Sequence, residues 1–431
     1  MLRHLLGGEA SHVFRGMITL LAGAGLARVV GLLSIPILTR LYSPEDFAVL
    51  GLYMALIAVL MPIMTLRYSQ AVPLPKTDVM AFNLFSVCFK LIIIFSVVLY
   101  FLFAIWGERI FAIFDMGELF PWWWLVVLGV SGSAFYELFS LWATRKRSYR
   151  VIAKTQFAQS IIGSAVKVVM GLLAIKPFGL ILGQFLSQTV GIGGFLRDAR
   201  KDFKSCYPRV TIGKEMLVAK YYQSFVWYRL PSQFLMAFSV QAPVMMMASL
   251  YGKELTGQLS LAIMAISLPV GLIGGAMAKA YYAEIALLGK GNVGKISKLT
   301  VSVQKRLFSI GLPVAAASWF LAEPLFVFVF GQEWSVAGEY AAILSPYILL
   351  QFTSAPLVQA INVLGSQASF LIINIMRFLG LAVIYFFSKK LELSGGFFVC
   401  LVGWYLFFYY MLISLFIFLI IDKVGRRAET S

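Results

Sequence analysis

The sequence predicts an all-α integral membrane protein: about twelve transmembrane helices in two parallel-repeat six-helix lobes around a central cavity. Three observations lead there. The chain of 431 residues is 60% hydrophobic and only 13% charged, with a mean hydropathy of +0.87, whereas soluble domains carry about 25% charged residues. Apolar runs of roughly 20 residues recur from end to end, which suits helical spans rather than the short alternating strands of a barrel. The two halves also resemble each other at an offset of about half the chain, and parallel repeats are a mark of transport folds.

The expected spans are 17–38, 46–66, 80–104, 119–143, 150–173, 177–196, 230–250, 256–282, 305–322, 337–362, 367–388 and 396–421. Two apolar pieces between spans, ERIFAIF from Glu108 and EPLFVFVF from Glu323, are too short to cross and are expected as amphipathic turns at the interface. The first sixteen residues show no signal-peptide cleavage pattern, so the first apolar run is expected to stay as a span. The Trp122, Trp123 and Trp124 run after Pro121 suits an outer interface belt. Of the 36 basic residues, 24 fall in segments on one side, six on the other and six inside spans. The positive-inside rule then puts both termini in the cytoplasm. This bias accounts for most of the net charge of +17 without a nucleic-acid partner. Cys88, Cys206 and Cys400 stand far apart and the only histidines are His4 and His12, so no metal site or cofactor is expected.

The repeat shows first in LYSPEDFAVLGLY from Leu41 against LYGKELTGQLSLA from Leu250, aligning Tyr42 with Tyr251 and Glu45 with Glu254. A second pair matches Glu108 and Phe111 with Glu323 and Phe326. Six spans per half give both lobes the same orientation. The expected lobes are 1–205 and 206–431, with the linker inside the basic stretch 197–229.

RVVGLLSIPILTRLYSPEDFAVLGLY (28–53), TLRYSQAVPLP (65–75) and LPVGLIGGAMAKAYYAE (268–284) resemble the polysaccharide-biosynthesis and O-antigen flippases. The most specific stretch is FVFGQEWSVAGEYAAILSPYILLQFTSAPLVQAINVLGSQ (328–367), through its FGxEWxxAGxY pattern. The resemblance covers nearly the whole chain. It implies the multidrug/oligosaccharidyl-lipid/polysaccharide exporter fold, and oligosaccharide on undecaprenyl pyrophosphate as the cargo turned between leaflets of a bacterial inner membrane. Polysaccharide polymerase and chain-length machinery are candidate partners beside the lipid-linked oligosaccharide and membrane lipids.

Six cations lie inside apolar runs: Arg28, Lys90, Lys154, Lys167, Lys279 and Arg377. Glu137 is the one clear acid among them. A charge at mid-bilayer costs about 2.5–3.5 kcal/mol even on the lenient insertion scale, so these cations call for a watery interior or an anionic cargo. Arg28, Lys167 and Arg377 are the leading substrate-binding candidates, because they lie deepest and guanidinium matches phosphate geometry. Arg67 and Lys279, at matching ends of spans in the two halves, are secondary, followed by Lys154 and Lys90. Snorkelling and topology are the plainer explanation for the residues at span ends. Glu137 is either an ion-coupling site or the counter-charge of a neighbouring cation. The same fold could carry a drug/cation antiporter, but such a protein is expected to bury acids, and here the buried set is basic. An enzyme is disfavoured, since paired carboxylates and sizeable outer loops are missing, and a passive scaffold gives no reason for intramembrane cations. No Walker motif is present, so the chain is not expected to hydrolyse ATP.

Overall fold

The computed structural model describes residues 25, 27, 29–113, 116–288, 292–364 and 367–429. Among the described residues the chain is nearly all helix, with no strand. It divides into two compact units, Met1–Phe234 and Leu235–Ser431.

In the first unit, α1 (Val29–Leu41) leads into α2 (Pro44–Leu60). Ser43 caps α2: its hydroxyl accepts from the Asp46 N–H, and the Asp46 carboxylate accepts from the Ser43 N–H. This capping box, with Pro44 in the first turn, explains why LYSPED opens a helix. Then follow α3 (Asp78–Ile113), α4 (Trp123–Arg145), α5 (Tyr149–Leu172), α6 (Phe178–Thr189), α7 (Ile192–Cys206) and α8 (Ile212–Tyr221). Helices α5 and α6 pack backbone to backbone. A Cβ on Gly163 would lie 2.8 Å from the Gly183 carbonyl oxygen, and one on Gly183 would lie 2.7 Å from that of Gly163. Only small residues allow such an approach. At the other side of the unit, Phe82 and Phe85 of α3, Phe139 and Trp142 of α4, and Phe203 of α7 form one aromatic cluster.

The second unit takes up most of α9 (Leu230–Pro269), which kinks at Gly252 where φ is 81°. A π-helical turn, Val270–Gly274, leads to α10 (Gly275–Leu288). After it come α11 (Val293–Phe330), α12 (Ser335–Ser354), the short α13 (Gln359–Leu364), α14 (Gln367–Lys390) and α15 (Gly395–Glu429). The FGQEWSVAG stretch is the hinge between α11 and α12. Gly331 turns the chain at φ 112°, Trp334 is fully buried, and Gly338 lets α12 meet the Glu323 backbone at a distance no Cβ would permit. Gln258 of α9 pins this hinge, donating to the Glu333 carbonyl and accepting from the Ala337 N–H.

Among the described residues, eight helical segments are long and apolar enough to cross a bilayer by length and composition. Helix α5, expected as the fifth span, is not among them, because Gln156, Gln159, Ser164 and Lys167 dilute its hydropathy. Two expectations need correction. The pieces from Glu108 and Glu323 are not separate interfacial turns; they continue α3 and α11 without a break. At 36 and 38 residues these helices reach about 54–57 Å at 1.5 Å per residue, well beyond a hydrocarbon core of roughly 30 Å. The stretch 206–234 groups with the first unit. Its helix α8 lies on α3: Asn83 accepts from the Thr211 N–H, Lys90 pairs with Glu215, and Val218 is buried.

Candidate functional site

The expected cations fall into three environments. The first is ion-paired. Arg67 follows Leu66, and both take left-handed backbone conformations at φ 62° and 48°. Such non-glycine outliers cost of order 1–3 kcal/mol each and persist only where surroundings hold them. Here they end the second span and turn Arg67 onto Glu137 of α4, at 3.4 Å. Gln70 donates to the same carboxylate oxygen at 2.7 Å. Arg229 lies near enough to repel Arg67, and the Arg67 Nε–H is buried without a hydrogen-bond partner. Glu137 is therefore the counter-charge of Arg67. Lys90 also has an acid: Glu215 of α8, at 2.7 Å. Glu137 is thus not the single acid serving the expected cations, and Lys90 is a clamp between α3 and α8.

In the second environment the partners are neutral; Lys167 is half-buried and Arg377 is buried. Lys167 of α5 donates from Nζ to the Gln184 side-chain oxygen of α6 at 2.7 Å. Its own carbonyl accepts from the Tyr42 hydroxyl at 2.7 Å. Arg377 of α14 is 6% exposed. It donates from Nη1 to the Tyr410 hydroxyl of α15 at 3.0 Å. Its guanidinium carbon lies 5.7 and 5.6 Å from the ring centres of Tyr409 and Tyr410, and Tyr347 of α12 stacks behind Tyr410. The Arg377 Nε–H has no partner. In each unit, then, the fifth span of the expected repeat carries a cation that bonds to a neutral group of the next span.

The third environment is open. Lys154, near the start of α5, is exposed and shares a hollow of about 730 Å³ with Arg197 and Lys201 of α7. The structure does not bring Lys154 to Lys167 or Arg67. Arg28 lies outside the described residues. Lys279 sits in α10, and its side chain lies outside them too. An apolar pocket of about 220 Å³ between the π-helical turn, α11 and α12 is lined by none of these cations.

Sequence reasoning misses Gln70, Gln184, Tyr410 and Glu215. Gln184 has a readable signal: a neutral amide in the apolar run GLILGQFLSQT. Tyr410 has none, because aromatic residues crowd that whole span.

Residues 37–339 match the family described as polysaccharide biosynthesis protein. No curated protein sequence matches the chain. Among solved structures, an inward-facing multidrug resistance MATE family transporter of the MOP superfamily superposes with a TM-score of 0.65 at 16% identity, covering 93% of this chain and 96% of that one. A MATE structure in a bent conformation gives 0.62 at 16% identity, covering 99% and 98%. A MOP superfamily transporter from Pyrococcus furiosus Vc1 (DSM3638), described as having a binding pocket of reverse polarity that suggests a different function, gives 0.57 at 16% identity, covering 98% of each chain. The fold is that of these multi-pass membrane transporters.

Proposed function

The chain belongs to the family of polysaccharide biosynthesis proteins, and on that premise we propose that it is a flippase. Its cargo is an oligosaccharide on polyprenyl pyrophosphate, an O-antigen or other surface-polysaccharide repeat unit. It turns this lipid from the cytoplasmic to the outer leaflet of a bacterial inner membrane by alternating access, with both termini in the cytoplasm. Polysaccharide polymerase and chain-length machinery are the partners that would take the product onward.

One observation carries the reading. Lys167, half-buried, and Arg377, buried, are both held by neutral groups, with no acidic partner among the described residues. A cation exporter gains nothing from such groups. A pyrophosphate supplies the counter-charge they lack, and a poorly hydrated site strengthens each contact relative to water. Glu137, held by Arg67 and Gln70, could couple transport to an ion only by exchanging the Arg67 contact.

The drug/cation antiporter remains a second reading, because the MATE structures share the fold. The deciding experiment depletes the protein from cells and follows labelled lipid-linked oligosaccharide. Accumulation on the cytoplasmic leaflet, reversed by the wild-type chain, supports the flippase. Neutral substitutions at Lys167 and Arg377 should reverse it poorly, and Lys90→Gln should reverse it well. Normal glycan export after depletion, together with lost resistance to cationic drugs, would establish the antiporter instead.

A further inference from the structure

We infer that the hollow between α5 and α7 of the first unit is a binding site for the phosphate head group of an anionic membrane lipid. It is walled by Val151, Lys154, Thr155 and Ala158 of α5 and by Arg197, Asp198 and Lys201 of α7, with Gly191 and Gly194 at its base. Three cations from two helices converge there on one space. Asp198 is the single carboxylate in the lining, so the side chains carry a net charge of two positive. None of the three cations has an ion pair or hydrogen bond among the described residues. This sets them apart from Arg145 and Lys146 close by in sequence, both engaged with Asp78.

The backbone shapes the hollow as well. Gly191 adopts φ 102°, and a Cβ there would collide with the Thr155 side chain at 2.6 Å. Glycine therefore lets the start of α7 close down on α5. It leaves the first turn of α7 without a side-chain cap, with the positive end of the helix dipole beside the hollow. The rest of α7 is fixed by Phe195, Ala199 and Cys206, which are buried, so its cationic face is held outward. Lys154 lies less than two turns from the start of a helix expected to enter the membrane, which is where a lipid phosphate would reside. The site is separate from Lys167 and Arg377 and depends on no assumption about the transported cargo.

The test uses the full-length protein in detergent and measures binding by native mass spectrometry and competition. The probes are phosphatidylglycerol, polyprenyl phosphate, inorganic phosphate and zwitterionic phosphatidylcholine. The wild type should prefer the two anionic lipids over phosphatidylcholine. The triple variant K154Q/R197Q/K201Q should lose about tenfold or more of that affinity, given the strength of hydrogen bonds from charged donors. D198N should bind more tightly, and R200Q, on α7 but outside the lining, should behave as wild type. Competition by inorganic phosphate at concentrations similar to the lipids' would assign the site to free phosphate and overturn the lipid source. Equal binding of phosphatidylcholine, or unchanged binding by a triple variant that elutes and melts as wild type, would overturn the site itself. Lost lipid binding with normal leaflet transfer in the triple variant would uphold this inference whatever the fate of the flippase reading.

Discussion

Replacing Arg377 by methionine should leave the protein as stable as before, or more stable, while impairing transport. The guanidinium is nearly fully buried, and taking such an ion from water costs several kcal/mol even after relaxation. Against that stand one hydrogen bond to Tyr410 at 3.0 Å, worth about 1.5–3 kcal/mol for a charged donor, and two contacts with aromatic faces, worth about 0.5–2 kcal/mol each. These terms nearly cancel, so an apolar side chain of similar length loses little. Tyr410→Phe is the smaller chemical change and should be the more harmful to stability. It keeps the cation and removes its hydroxyl partner, adding Nη1 to the already unpartnered Nε, at about 1–3 kcal/mol. Thermal unfolding in detergent, followed by tryptophan fluorescence, reads the order directly. The expected apparent Tm order is Arg377→Met at or above wild type, and Tyr410→Phe below both. A strongly destabilised Arg377→Met beside an unaffected Tyr410→Phe would show that the arginine is a structural post and not a cation kept for its charge.

Gly183→Ala should lower the Tm, because its Cβ would collide with Lys167 Cγ and fall 2.7 Å from the Gly163 carbonyl oxygen; overpacking of this kind costs about 1–3 kcal/mol. Gly193→Ala, with nothing within 4 Å, should be harmless in the same melt. Lys146, outside the spans, offers a pH test: burial pulls its ammonium down, but hydrogen bonds to Asp78 and Asp202 outweigh this and raise it above its ordinary 10.5. A raised folded value means the stabilisation is complete below pH 10.5 and fades as pH climbs through the folded value. The Tm gap between wild type and Lys146→Met should therefore narrow there; a constant gap would refute the ion-pair account. Single cysteines at Gly294 and Gly396, where a Cβ meets nothing within 4 Å, should be shielded from and labelled by an outside reagent respectively, and the reverse pattern would invert the topology.

The helical class, the run of spans and several local devices are legible in the chain. LYSPED stands out in the sequence through its match to the second half, and the structure shows it to be a helix start capped by Ser43 and Asp46. The EWSVAG stretch stands out through its family pattern, and the structure shows why: Trp334 is buried and Gly338 allows a close helix approach. Helix ends are harder to read. Between Ala104 and Glu108 the one weak helix former is Gly107, and a single glycine costs a helix only about 1 kcal/mol. Composition there suggests a stop at the membrane edge, where the backbone simply continues. Partners are the least legible. Lys90 and Glu215 are 125 residues apart, Arg67 and Glu137 are 70, and Arg377 and Tyr410 are 33. Local spacing on one helix carries no information about such contacts, because the fold brings different helices together. Charge balance could suggest that the cations needed partners, but not that two would settle for an amide and a phenol.

That difference in partners separates the cations by what they could do. For Lys90, a phosphate would have to displace or share the Glu215 carboxylate, exchanging one counter-charge for another with little net change. Arg67 is intermediate, since Glu137 meets one side of it while Arg229 repels it and its Nε–H stays unmet. Lys167 and Arg377 would receive their first counter-charge. The grip at each is still moderate, because Gln184 and Tyr410 already hold the donors and must be given up or shared. In the proposed flippase, which must release the same lipid on the far side, that compromise would supply charge to attract a pyrophosphate and neutral groups ready to take the donors back when it leaves.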